Sequence, residues 1–172
     1  MKKPMLFGIL AAIAALGLLF AAIRSAQDEK KADAPQANSA SAEDITVDID
    51  GQKFALSGGV AGTVRVVGEP VSGDLNADGK PDAALLISND PGGSGTFFYA
   101  VVAINDGGAY HASNVVPLGD RIVPKSVDFT DGRFAYHYLT RKPDQPMADA
   151  PTVETTTTVA LDPTSGKIVA AS

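Results

Sequence analysis

The chain has 172 residues, a formal net charge of −6 and no cysteine. The missing thiols exclude disulfides, thiolate nucleophiles, Cys-ligated zinc and the acylated cysteine of a bacterial lipoprotein. From Asp44 onward nine Lys/Arg stand against sixteen Asp/Glu, a net of −7, so no nucleic-acid partner is expected: such a partner calls for a basic face that displaces phosphate counterions.

Met1-Lys2-Lys3-Pro4 is a short basic start, and Met5 to Ile23 is an uncharged apolar run of 19 residues. As a helix that run would span about 28 Å, close to a hydrocarbon core of about 30 Å. A soluble helix of this length is rarely apolar on every side. Residues 1–23 therefore read as an N-terminal membrane anchor, a single transmembrane helix. A cleaved signal peptide is the competing reading. Its apolar region is about 7–15 residues long, shorter than this run. Cleavage after Ala26 or Ala22 would also put Arg24 or Phe20 at the −3 position, a poor fit in both cases. Lys2 and Lys3 precede the run while Arg24, Lys30 and Lys31 follow it, so the positive-inside rule is close to neutral.

Residues 24–43 are rich in Ala, Ser, Gln and charge, with Pro35 and Ala as their only apolar side chains and no aromatic residue. Such a stretch buries too little surface to offset its ordering entropy. It reads as a flexible tether with an end-to-end distance of roughly 25 Å.

Residues 44–172 change to a period of two. Ile45, Val47 and Ile49 alternate with Thr46, Asp48 and Asp50, and Gly51 then turns the chain. Phe54 and Leu56 follow, then Val64, Val66 and Val67, then the apolar runs 83–88 and 96–104. Residues 110–118, 126–129, 133–139 and 153–161 complete the set of expected strands. β-Branched and aromatic residues fill these runs, and Gly, Pro, Asn and Asp separate them. Asn105-Asp106-Gly107-Gly108 and Asp131-Gly132 are hairpin signals, and residues 89–95 divide the two most apolar strands. Pro143, Pro146 and Pro151 favour a loop over a helix at 140–152. The expected fold is mostly β: a small antiparallel sandwich or barrel-like meander, preceded by the one transmembrane helix.

The most informative segment is Gly73 to Asp82, GDLNADGKPD. Side-chain oxygens recur in a D-x-N-x-D-G-x-x-D order, and calcium takes six to eight hard oxygen ligands. A tight loop aims Asp74, Asn76 and Asp78 at one point, Gly79 permits the sharp turn, Lys80 offers its carbonyl with its charge directed away, and Asp82 closes the set. Carboxylates gathered without a cation would repel one another. The position of the bidentate Glu of an EF-hand is held here by Leu85, inside an apolar strand, so this is not an EF-hand. The loop resembles the calcium loops of FG-GAP repeats in integrin α-chains and the first part of dockerin loops. That resemblance covers about a dozen residues; it implies Ca2+ held by Asp74, Asn76, Asp78, the Lys80 carbonyl and Asp82, and it does not extend to the propeller fold. The competing reading is a metal-free turn. A calcium loop favours an extracytoplasmic domain, because millimolar calcium exists there.

A longer resemblance runs over most of residues 60–161. GDLNADGKPDAALLISNDPGGSGTFFYAVVAINDGG, then Leu118-Gly119-Asp120-Arg121-Ile122, then a Thr-rich strand, are similar to a group of uncharacterised bacterial exported domains. It implies an extracytoplasmic location and no mechanism; together with the anchor, the expected place is the periplasmic side of the bacterial cytoplasmic membrane.

No catalytic constellation is visible. Gly92-Gly93-Ser94-Gly95-Thr96 lacks the final Gly of a nucleophile elbow and the Lys of a P-loop. His111 and His137 have no zinc-type spacing. Asp120-Arg121 reads as an ion pair at a turn, with a binding feature as the alternative, and Phe97, Phe98, Tyr99, Tyr136 and Tyr138 read as core, with a ligand platform as the alternative. The expected function is a membrane-tethered, non-enzymatic, calcium-binding β domain that contacts a protein partner in the envelope. The alternatives are an exported hydrolase with a calcium-stabilised fold, revived by a cleft that gathers Asp120, Arg121 and His137, and an ion-free structural module.

Overall fold

The computed structural model describes residues 40–171, part of one compact unit, Ala40–Ser172. The expected anchor and nearly all of the expected tether lie outside the described residues. Among the described residues no helix is long and apolar enough to cross a membrane.

Thirteen strands follow in chain order: β1 (Thr46–Ile49), β2 (Gln52–Ala55), β3 (Val60–Ala61), β4 (Val64–Val66), β5 (Val71–Gly73), β6 (Asp82–Asn89), β7 (Phe97–Asn105), β8 (Tyr110–Ala112), β9 (Val116–Asp120), β10 (Val123–Thr130), β11 (Arg133–Thr140), β12 (Val153–Leu161) and β13 (Ile168–Ala171). All the named strand pairings are antiparallel. The fold is mostly β. β1 and β2 form a hairpin, β10 to β13 form a four-stranded meander, and the other seven strands form a central sheet around the β6–β7 pair.

Every residue of β6 is buried. The cause is a core on each face of the central sheet. Ala84, Leu86, Ala100 and Val102 pack with Phe134, Tyr136, Tyr138, Val159 and Ile168 of the meander. Ala83, Leu85, Ile87, Val101 and Ala103 pack with Ile45, Val47 and Ile49 of the hairpin. Successive strand residues point to opposite faces, so β6 and β7 need apolar side chains at odd and even positions alike, and they have them. Each fully buried Val, Leu or Ile contributes roughly 1.5–3 kcal/mol before conformational entropy is counted. Tyr136 ties the layers together: its hydroxyl donates toward the carbonyls of Val101 at 3.0 Å and Leu85 at 3.3 Å, and burial pushes that hydroxyl far above the ordinary phenol range.

Three expectations need correction. Residues 41–43, expected in the tether, are tied to the domain: Ser41 accepts from the N–H groups of Glu43 and Asp44, and the Glu43 carbonyl accepts from Gly59 N–H. The run 110–118 is two strands, since Ser113 satisfies Val102 with its side-chain oxygen as well as its N–H and the chain steps out between β8 and β9. Phe97 does not join the core: it is 41% exposed.

Candidate functional site: the acidic loop

The loop of residues 74–81 joins β5 to β6, where Gly73 pairs with Asp82. Leu75 holds it from below as a buried member of the core. Gly79 has φ of 84° and Ala77 has φ of 58°. The second is a left-handed conformation that an L residue adopts only at a cost of order 1 kcal/mol, so the surrounding bonds must hold it.

Those bonds come from the side chains read as ligands. Asp74 accepts from the N–H of Asp78 at 3.1 Å through Oδ1 and from that of Gly79 at 2.9 Å through Oδ2. Asn76 Oδ1 accepts from the same Asp78 N–H at 3.1 Å. Asp78 Oδ1 accepts the Lys80 N–H at 2.8 Å. Asp74, Asn76 and Asp78 are thus brought into one turn, each oxygen keeping lone pairs beyond those used by the backbone. The Lys80 N–H, followed by the Lys80 ammonium, holds the Asp78 carboxyl below the ordinary carboxylate range.

Two members of the set behave differently. Asp82 has no exposed surface; its Oδ2 accepts from Leu75 N–H and its Oδ1 from Asn105 N–H, both at 2.9 Å. It staples the loop to β7. The charge of Lys80, expected to point away, lies 3.2 Å from Asp78 Oδ2, and the Lys80 stem runs beside Gly107 in the β7–β8 turn. In that turn Asp106 is also held below the ordinary range, chiefly by the N–H groups of Ala109 and Gly108, with a smaller part from Lys80. The Lys80 ammonium therefore stands where a bound cation would compete with it.

Whether the donors suit calcium follows from this inventory. Among the described residues no three His, Cys, Asp or Glu side chains converge as a metal-holding group. Asp74, Asn76 and Asp78 supply hard oxygens in one exposed turn, and carbonyls and water would have to complete the shell. This partial set alone falls short of the six to eight oxygen ligands that calcium takes.

The other candidates separate in space by their bonding. Asp120 pairs with Arg121 at 3.1 Å and accepts from Thr96 N–H. His137 lies between Asp128 at 2.9 Å and Thr156 at 2.9 Å, a row across β10, β11 and β12 of the kind that stabilises a sheet face. None of these bonds joins His137 to Asp120 or Arg121. Loop 141–152 is stitched by Arg141 to the carbonyls of Asp149 and Arg121, and by Gln145 to that of Ala150; it contains no helix. Sequence reasoning missed the structural role of Asp82, whose signal was an acidic residue opening an otherwise apolar strand. No protein-family model matches the chain, nor does any curated protein or solved structure.

Proposed function

We propose that this chain is a membrane-tethered, extracytoplasmic, non-enzymatic β domain that acts by contact with envelope partners, and that its β5–β6 loop takes a weak calcium ion. The apolar run Met5 to Ile23 supports the tether. The observation that carries the ion reading is the turn that gathers Asp74, Asn76 and Asp78 beside Lys80. Because each of these carboxylates already has N–H partners, the loop folds without the ion, and calcium stabilises it rather than creating it. Its competitor is internal: calcium enters as the Lys80 ammonium swings out to water.

The test is thermal unfolding of the full-length chain in non-ionic detergent, with chelator, with millimolar calcium and with matched magnesium. Ligand-linked stabilisation of about 1 kcal/mol is expected at calcium several-fold above Kd. Asp78→Ala should abolish the shift, and Lys80→Met should enlarge it by removing the competing charge. Equal melting temperatures with and without calcium, in both the parent and Lys80→Met, would leave the loop as a turn and sink the ion reading.

A further inference from the structure

The hairpin core is open at one end. Alternation along β7 places Phe97 and Tyr99 on the same face as Val101 and Ala103, and the register sets them opposite Asn89 and Ile87. The β1–β2 hairpin covers this face only as far as its turn at Asp50-Gly51. Beyond Ile49 the cover stops, and a cleft of about 340 Å³ remains between the hairpin and the β6–β7 end of the central sheet. Phe54, Phe97 and Tyr99 line it with Asp50 and Pro91. The exposed Phe97 ring lies beside Gly95, where an added Cβ would come within 3.0 Å of its tip. The Asp50 carboxylate acts on the Tyr99 hydroxyl, since burial and then the charge of Asp50 raise that hydroxyl above the ordinary phenol range.

Three aromatic rings and one carboxylate, with no basic side chain among the described residues lining the cleft, make a particular chemistry. The ring faces carry negative quadrupole potential, which attracts a cation within about 6 Å of a ring centroid. Asp50 supplies a full negative charge at the lip, and the acidic domain around it adds long-range attraction. A compact ammonium would surrender strong hydration with one carboxylate to replace it. A weakly hydrated cation gives up less water and presents apolar surface to the rings. We infer that the Phe54–Phe97–Tyr99 cleft is a binding site for a weakly hydrated organic cation, a quaternary ammonium or a guanidinium, with Asp50 as its counter-ion. The site is independent of the β5–β6 loop and of calcium.

The probes are choline, its uncharged isostere 3,3-dimethylbutanol, and the arginine side chain as Nα-acetylarginine amide. Binding is read from aromatic chemical shifts of the full-length chain, labelled at Phe and Tyr, in non-ionic detergent. At least one cation should bind at millimolar concentration and shift Phe97 and Tyr99 together, while the isostere binds about five- to thirty-fold more weakly. Asp50→Asn and Phe97→Leu should each weaken the cation several-fold and leave the isostere unchanged. Asn tolerates the left-handed turn position that Asp50 occupies at φ 53°, and the Phe97 side chain is largely outside the core, so both variants fold. Preference for choline over the arginine probe points to a free or lipid-borne quaternary ammonium; the reverse points to a protein side chain. The proposal is overturned if neither cation shifts these rings, or if the isostere binds as well as the cations.

Discussion

The two oxygens of the Asp82 carboxylate accept the N–H groups of Leu75 and Asn105, one each, and the side chain has no exposed surface. An amide of the same shape cannot do this: one of its ends is an NH2, which would face an N–H donor. Asp82→Asn should therefore destabilise the domain by about 1–3 kcal/mol, the cost of stranding a buried polar group, although it removes a charge and barely alters volume. Asp78→Asn, in the exposed part of the same loop, keeps an acceptor for Lys80 N–H and should cost far less without calcium. Urea unfolding of both variants in chelator separates the roles. Equal costs would mean that Asp82 is not the staple. A buried position inside the pattern D-x-N-x-D-G-x-x-D distinguishes scaffold from rim, and the sequence shows the pattern but not the burial.

Strands were legible wherever their own residues carried the period. β1, β6, β7, β11 and β12 stand where alternation or continuous apolar runs put them, and the hairpin turns at Asp131-Gly132 and at 105–108 join β10 to β11 and β7 to β8. The pieces that escaped notice are defined by partners instead. β3 and β5 are two and three residues long and exist only as additions to β4 and β6. β13 is four residues whose edge is met by a side chain: Asn114 Nδ2 donates to Ile168 O at 2.9 Å, and Asn114 Oδ1 accepts Ile168 N–H at 2.8 Å. One amide thus stands in for a strand partner and joins the β8–β9 connection to the meander. Nothing in the local sequence of Asn114 announces a contact 54 residues away. Asn114→Ala should cost about 1–3 kcal/mol through the two orphaned backbone groups. Amide exchange at Ile168 should speed up more than exchange at Val101 in the β6–β7 core. A uniform rise in exchange would mean that β13 does not detach by itself.

Across the domain, three aspartates in three hairpin connections share one device. Asp78 lies between β5 and β6, Asp106 between β7 and β8, and Asp162 between β12 and β13. Each is held below the ordinary carboxylate range mainly by backbone N–H groups of its own turn: Lys80 for Asp78, Ala109 and Gly108 for Asp106, Thr164 and Ser165 for Asp162. A carboxylate whose folded pKa lies below its unfolded one stabilises the fold above the unfolded value. That contribution disappears as pH falls through the folded value. Stability should therefore decline below about pH 4, and no disulfide restrains the chain as it does. The variant Asp78→Asn/Asp106→Asn/Asp162→Asn keeps a side-chain oxygen for each turn but has no proton to gain. It also carries less mutual repulsion at neutral pH, so the informative quantity is the fall in melting temperature from about pH 7 to about pH 3, not the starting value. The parent should lose more than the triple variant. Equal losses would move the acid sensitivity away from these turns. A larger loss in the parent would mean that acid acts on the two sheets through these hairpin turns, ahead of the apolar packing on the two faces of β6–β7.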